Sequence, residues 1–309
     1  MTDALSITVV GAVAIGSAVA FSLARAGSAP MLVARGEALA AIRRDGLRVD
    51  KWDDGGTVRL EVTDTPAELG PQGLVIGTMK AQDWTASIAT PTPLIARQTA
   101  LLPPINGIPW WYFDGQGGPL EGERVTAVDP DGALLTALPA RSVIGSVVYM
   151  GVTRVAPGVV RWTSGNKFVL GEPTGRPRER TERVAAILRQ SGFDVSITDD
   201  IRAGIWTKLI GNAAFNPLSA IARADRRDHE RLRFRPHRAS PDTRSRSGRG
   251  SGRCPVGDGY REALCDQSGA WRSSHLDAAG LRGRPRSRTG RARRCSRRRS
   301  AYASASRHR

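Results

Sequence analysis

The sequence predicts an α/β protein: a doubly wound parallel sheet, then the start of an all-α unit, then a basic tail. Three observations carry that prediction. Short apolar runs alternate with helical stretches over roughly the first 110 residues, the pattern of a sheet wound on both faces. The first run ends in a glycine-bounded turn that opens a helix. After residue 223 periodicity disappears and the chain becomes rich in Arg, Ser, Gly and Pro.

Taken in order, Ser6–Val10 is a β-branched run of the kind that suits a strand covered on both faces. Ala14–Ala26 has helical composition and stops at Gly27. The whole stretch Thr8–Ala24 is apolar, yet it lacks a cationic leader, contains Gly11 and Gly16, and is short for a membrane span. It reads as a buried strand plus a helix, so a soluble, cytoplasmic protein is expected. Pro30–Ala34 is a second strand, and Glu37–Asp45 a helix ended by Gly46. Strands are expected at Leu47–Val49, Val58–Val62 and Leu74–Met79, and Leu101–Ile105 leads into Asn106–Gly107. Residues 108–173 look β-rich, with VTAV, SVIGSVVYM, VVRW and KFVL set between Gly and Pro. Helices follow at Arg180–Gln190, closed by Gly192, and at Ala203–Ala222. The expected division is a Rossmann-type α/β domain over 1–173, the start of a helical domain over 174–223, and a disordered Arg-rich tail over 224–309.

Charge divides at the same place. The chain of 309 residues has 46 Lys+Arg against 29 Asp+Glu, a formal +17. Residues 1–223 hold 22 basic and 21 acidic side chains, so nearly all the excess belongs to the tail. All four His and all three Cys also lie after 223. Cys/His zinc sites, Cys nucleophiles and His general bases are thereby excluded from the front part. Its chemistry must use Lys, carboxylates, Asn, Ser/Thr or a cofactor; no metal site is expected. Three widely spaced Cys make no disulfide framework.

The turn at 11–16 reads GAVAIG. In the dinucleotide fingerprint G-x-G-x-x-G the first glycine makes the turn, the second lets backbone approach the pyrophosphate, and the third lets helix pack on strand. Gly11 and Gly16 are present, but Val13 takes the middle place. A branched side chain there predicts weakened cofactor binding. Arg35 ends the second strand, with no acid before Glu37. A guanidinium there suits a ribose 2′-phosphate, which favours NADP(H).

Three further segments carry a recognisable pattern. TMKA puts Lys80 after the fourth strand of the sheet, and INGIPWWYF puts Asn106 after the fifth. IWTKLIGNAAFNPLSA puts Lys208, Asn212 and Asn216 at i, i+4 and i+8 on one helix face, an ammonium and two amides turned the same way. With GAVAIG and Arg35, residues 1–222 resemble the ketopantoate reductases (2-dehydropantoate 2-reductases). The resemblance implies NADPH-dependent reduction of a small 2-oxo acid, by default 2-dehydropantoate to pantoate, in pantothenate biosynthesis. It implies Lys208 as the catalytic acid at the ketone oxygen. Asn212 and Asn216 would hold substrate polar groups, and Asn106 would orient the Lys or the substrate. Gly11, Val13, Ala14, Ile15, Gly16, Arg35, Lys80 and Asn106 would line the cofactor. Trp110 and Trp111 read as packing residues.

The family pattern continues with a Ser in a segment like SMLQD and, twelve residues on, a Glu in one like ELDAL. Nothing in 224–309 matches in this frame. Back-translated and read one nucleotide later, however, His275–Cys295 permits ISMLQDFEAGRxxELDALVGA. A shift of reading frame between about Leu218 and Asp225 accounts for this and for the Arg enrichment, which GC-rich codons give out of frame. Activity in the chain as written is then expected to be impaired. The competing expectation is an inactive nucleotide-binding remnant whose basic tail contacts nucleic acid. The tail's sparse aromatics argue against specific nucleic-acid binding, and no membrane partner is expected.

Overall fold

The computed structural model describes residues 5–51 and 54–222. The chain begins β1 (Ile7–Val10), α1 (Ala14–Arg25), β2 (Met31–Val33), α2 (Gly36–Asp45), β3 (Leu47–Lys51), β4 (Gly56–Val58) and β5 (Val62–Thr63). It continues β6 (Leu74–Gly77), β7 (Ala100–Leu102), α3 (Ala133–Ala137), β8 (Gly145–Ala156) and β9 (Val159–Gly171). It ends α4 (Glu179–Gln190), β10 (Asp194–Ile197) and α5 (Ile201–Ala222).

Five short strands form an all-parallel sheet in the order β5-β2-β1-β6-β7. Their apolar character follows from burial on both faces. Ile7, Val9, Leu32, Leu74, Ile76 and Leu102 enter one core. The alternate residues Val10, Val33, Val75 and Leu101 enter another, with Trp84, Trp110 and Trp111. A second sheet runs β10-β9-β3-β4, with β8 antiparallel to β9.

α1 lies between the two sheets, touching β1 on one side and β3, β8 and β9 on the other. Eight consecutive residues, Gly16 to Leu23, are buried. That explains the apolar stretch at 8–24, since a helix enclosed all round has no polar face. Among the described residues no helix is long and apolar enough to cross a membrane.

Several elements differ from the sequence reading. The expected strand Val58–Val62 is two strands in two sheets: β4 pairs with β3, and β5 with β2, because the chain crosses between sheets at 59–61. VTAV forms turns, its amides bonding locally as Val128 N–H to Val125 O (2.9 Å). VVRW and KFVL belong to one bent strand, β9, whose first part pairs with β3 and last part with β10. After residue 174, α4 and β10 pack onto the second sheet, and α5 lies against its strands β8 and β9. The tail, its expected disorder and the shifted segment lie outside the described residues.

Candidate functional site

The turn after β1 is built by glycine geometry. Gly11 takes a positive φ of +104° and donates its N–H to Val33 O (3.0 Å). At Gly16 a methyl group would collide with the Gly11 carbonyl and Thr78 Oγ1, so the first turn of α1 closes onto the strand only without a side chain. Thr78 Oγ1 lies 3.0 Å from the carbonyl oxygens of Val10 and of Gly11, tying the turn to the end of β6. Val13 precedes the helix in extended conformation, with no side-chain cap. A helix N-terminus without a side-chain cap offers its first amides to an anion.

A cleft of about 280 Å³ opens at the carboxyl ends of β1 and β2, where α/β sheets take their ligands. Gly11 and Val13 form its floor, Arg35 and Ala38 line the β2 side, and Met79 and Asp83 line the β6 side. Val13 lines the cleft where α1 opens. Arg35 is exposed at the start of α2. Arg154 reaches the same cleft from β8. Asp64 also lines it, facing Arg43 at 3.9 Å.

Lys208 lies elsewhere, on α5 against β8. Its ammonium is buried, donates to the Val148 carbonyl oxygen, and sits 5.3 Å from the Tyr149 ring centre. Burial lowers its pKa from the usual lysine range to about 8. Ser146, two residues before Val148, donates to Pro103 O (3.0 Å), which ties β8 to the segment leading to Asn106. β8 thus links the lysine to the end of the parallel sheet.

The structure brings Gly11, Val13 and Arg35 to one cleft. Ala14, Ile15 and Gly16 form the first turn of α1, with half-buried Ile15 packed against the core. Lys80 is exposed beside the cleft, directly after Met79. Asn106 is exposed after β7, with Gly107 at φ +86°. Asn212 is half-buried and Asn216 exposed, further along α5 than Lys208. Lys208 bonds to Val148, not to Asn106. Trp110 is buried, its indole N–H donating to Leu138 O (3.0 Å), and Trp111 is buried beside it. Sequence reading missed Thr78, Tyr149 and Arg154. A Thr just past a strand or a Tyr within one carries no signal of its own, and Arg154 is distant in sequence from every motif.

A parallel sheet with a glycine turn and an anion-ready helix opening at its switch point defines a dinucleotide-binding α/β oxidoreductase scaffold. Residues 7–175 match the family model of the ketopantoate reductase PanE/ApbA. A 2-dehydropantoate 2-reductase from Mesorhizobium japonicum is 42% identical over 218 residues, covering 70% of this chain and 67% of that protein. The crystal structure of a protein from Ralstonia solanacearum MolK2, assigned to the ketopantoate reductases, aligns with TM-score 0.68 and 38% identity over 71% of this chain and 68% of that one. That of 2-dehydropantoate 2-reductase from Geobacter metallireducens GS-15 aligns with TM-score 0.60 and 29% identity, over 72% and 67%. The chain belongs to the ketopantoate reductase family, an NAD(P)-dependent oxidoreductase family, and spans about two thirds of the length of these relatives.

Proposed function

We propose that this chain is the cofactor-binding and lysine-bearing part of an NADPH-dependent 2-oxo-acid reductase. By default it reduces 2-dehydropantoate to pantoate, in cytoplasmic pantothenate biosynthesis. The observation that carries this reading is the buried Lys208 ammonium in a chain of this family. With a pKa of about 8 it is charged at neutral pH and acidic enough to give up its proton.

The turn from Gly11 through Val13, Ala14, Ile15 and Gly16 would hold the pyrophosphate, and Arg35 the ribose phosphate. Lys80 and Asn106 would flank the nicotinamide end. NADPH, when bound, supplies the hydride. Lys208 hydrogen-bonds the ketone oxygen as negative charge develops on it, then protonates it, giving the 2-hydroxy acid. Asn212 and Asn216 orient the substrate's polar groups from the same helix.

The reading frame limits activity. Residues 224–309 as written lack the Ser and Glu that the next frame would supply, so turnover is low until that frame is restored. The test is NADPH oxidation with 2-dehydropantoate, comparing the chain as written with one carrying the shifted frame, after sequencing the DNA under codons 215–300. Turnover in the restored chain supports the reading. Bases that do not encode the segment sink the frame proposal. A restored chain that binds NADPH but turns over no small 2-oxo acid sinks the reductase.

A further inference from the structure

The side of the cleft nearest β2 carries more positive charge than the fingerprint accounts for. Arg154 lies on β8, over a hundred residues from Arg35, yet both line the same cleft. Neither guanidinium has an ion pair among the described residues. Of the acids lining the cleft, Asp64 faces Arg43, and Asp83 follows β6, across β1 from Arg35.

The fold holds Arg154 in place. The register of β8 against β9 slips between Arg154 and Ala156, an irregularity that re-aims side chains. The hairpin tip is docked: Gly158 O accepts the Arg48 N–H (2.9 Å), and Gly158 packs on Ala41 and Ile42 of α2. A strand end fixed against α2 therefore delivers a cation to the space beside Ala38, one turn into the helix that Arg35 opens. Two guanidinium forks and the N-terminus of α2 suit a phosphate dianion better than a neutral ribose hydroxyl.

We propose that Arg154 is a second phosphate-recognising residue of this cleft, clasping with Arg35 the 2′-phosphate of a phosphorylated nicotinamide dinucleotide. The proposal rests on the cleft being a dinucleotide site. It makes cofactor preference a property of the second sheet as well as of the β2 end.

The test is fluorescence titration of the full chain, and of its Arg154→Ala, Arg154→Lys and Arg35→Ala variants, with NADPH and NADH separately. Loss of one charge-assisted contact predicts that Arg154→Ala weakens NADPH about ten- to hundredfold, with Arg154→Lys between it and the parent. NADH binding should change less than about twofold, since it lacks the phosphate. A double-mutant cycle should show coupling between the two arginines. Unchanged NADPH affinity in Arg154→Ala, or equal weakening of both nucleotides, overturns the Arg154 assignment and leaves the dinucleotide cleft standing. A parent chain that binds neither nucleotide overturns both.

Discussion

Val13 sits where the fingerprint asks for backbone alone, and its half-buried side chain lines the cleft at the opening of α1. Its backbone is extended, with φ −92°, a conformation any residue adopts, so nothing in the turn requires valine. Val13→Gly should therefore tighten NADPH binding, by about tenfold if it gains one unobstructed amide contact, as a titration would measure. Unchanged affinity would mean the phosphates pass clear of this residue. Lys208 gives the second prediction at this scale. A general acid works protonated, and its pKa is lowered to about 8. In a turnover-competent chain kcat should hold below pH 8 and fall about tenfold per pH unit above it. Lys208→Ala should lose about 10²–10⁴ in kcat and abolish that limb of the profile. A profile flat through pH 9 would remove Lys208 from the chemistry.

At the scale of elements, the join between α4 and the second sheet depends on one polar cluster. Glu172 is buried at the end of β9 and accepts from Arg180 Nε (2.8 Å) and Nη2 (2.5 Å) and from Thr181 Oγ1 (2.6 Å). Arg180 also donates to the carbonyls of Arg141 (2.6 Å) and Val143 (3.0 Å). Arg180→Ala strands a buried carboxylate and should cost about 3 kcal/mol, read as a lower denaturant midpoint. A loss under about 0.5 kcal/mol would class the pair with surface ion pairs. This cluster also shows where sequence reading runs out. β1 and β2 were legible as short apolar runs, and α1 and α2 because each stops at a glycine. Glu172, Arg180 and Thr181 are ordinary surface residue types whose burial depends on partners in other elements. β10 was missed because its residues, Asp194–Ile197, follow a helix stop and alternate only weakly. Val58–Val62 was misread because a crossing between sheets has no local signature. Of the site, the glycine turn, Arg35 and the lysine helix were legible from spacing; Arg154 was not, since only the packing of the hairpin on α2 brings it to the cleft.

At the scale of the molecule, the described part is closed on one side and open on the other. α5 packs on β8 and β9 but keeps Trp206 and Ile210 each 48% exposed and Ile221 81% exposed. Apolar residues exposed in this way on one helix mark a surface suited to a further packing partner. The nucleotide-binding side has no such deficit, because both faces of the parallel sheet are covered. Its central member is α1, enclosed by two sheets along eight residues. Solvent deuterium can reach those amides only when both sheets part. The amides of Ala18 to Leu23 should thus be the slowest to exchange, with an opening free energy equal to that of global unfolding. Faster, local exchange there would show that the sheets separate independently. If they do not, the glycine turn at 11–16 is mounted on the last part of the molecule to yield, and a nucleotide seated there would leave by its own dissociation rather than by any loosening of the protein around it.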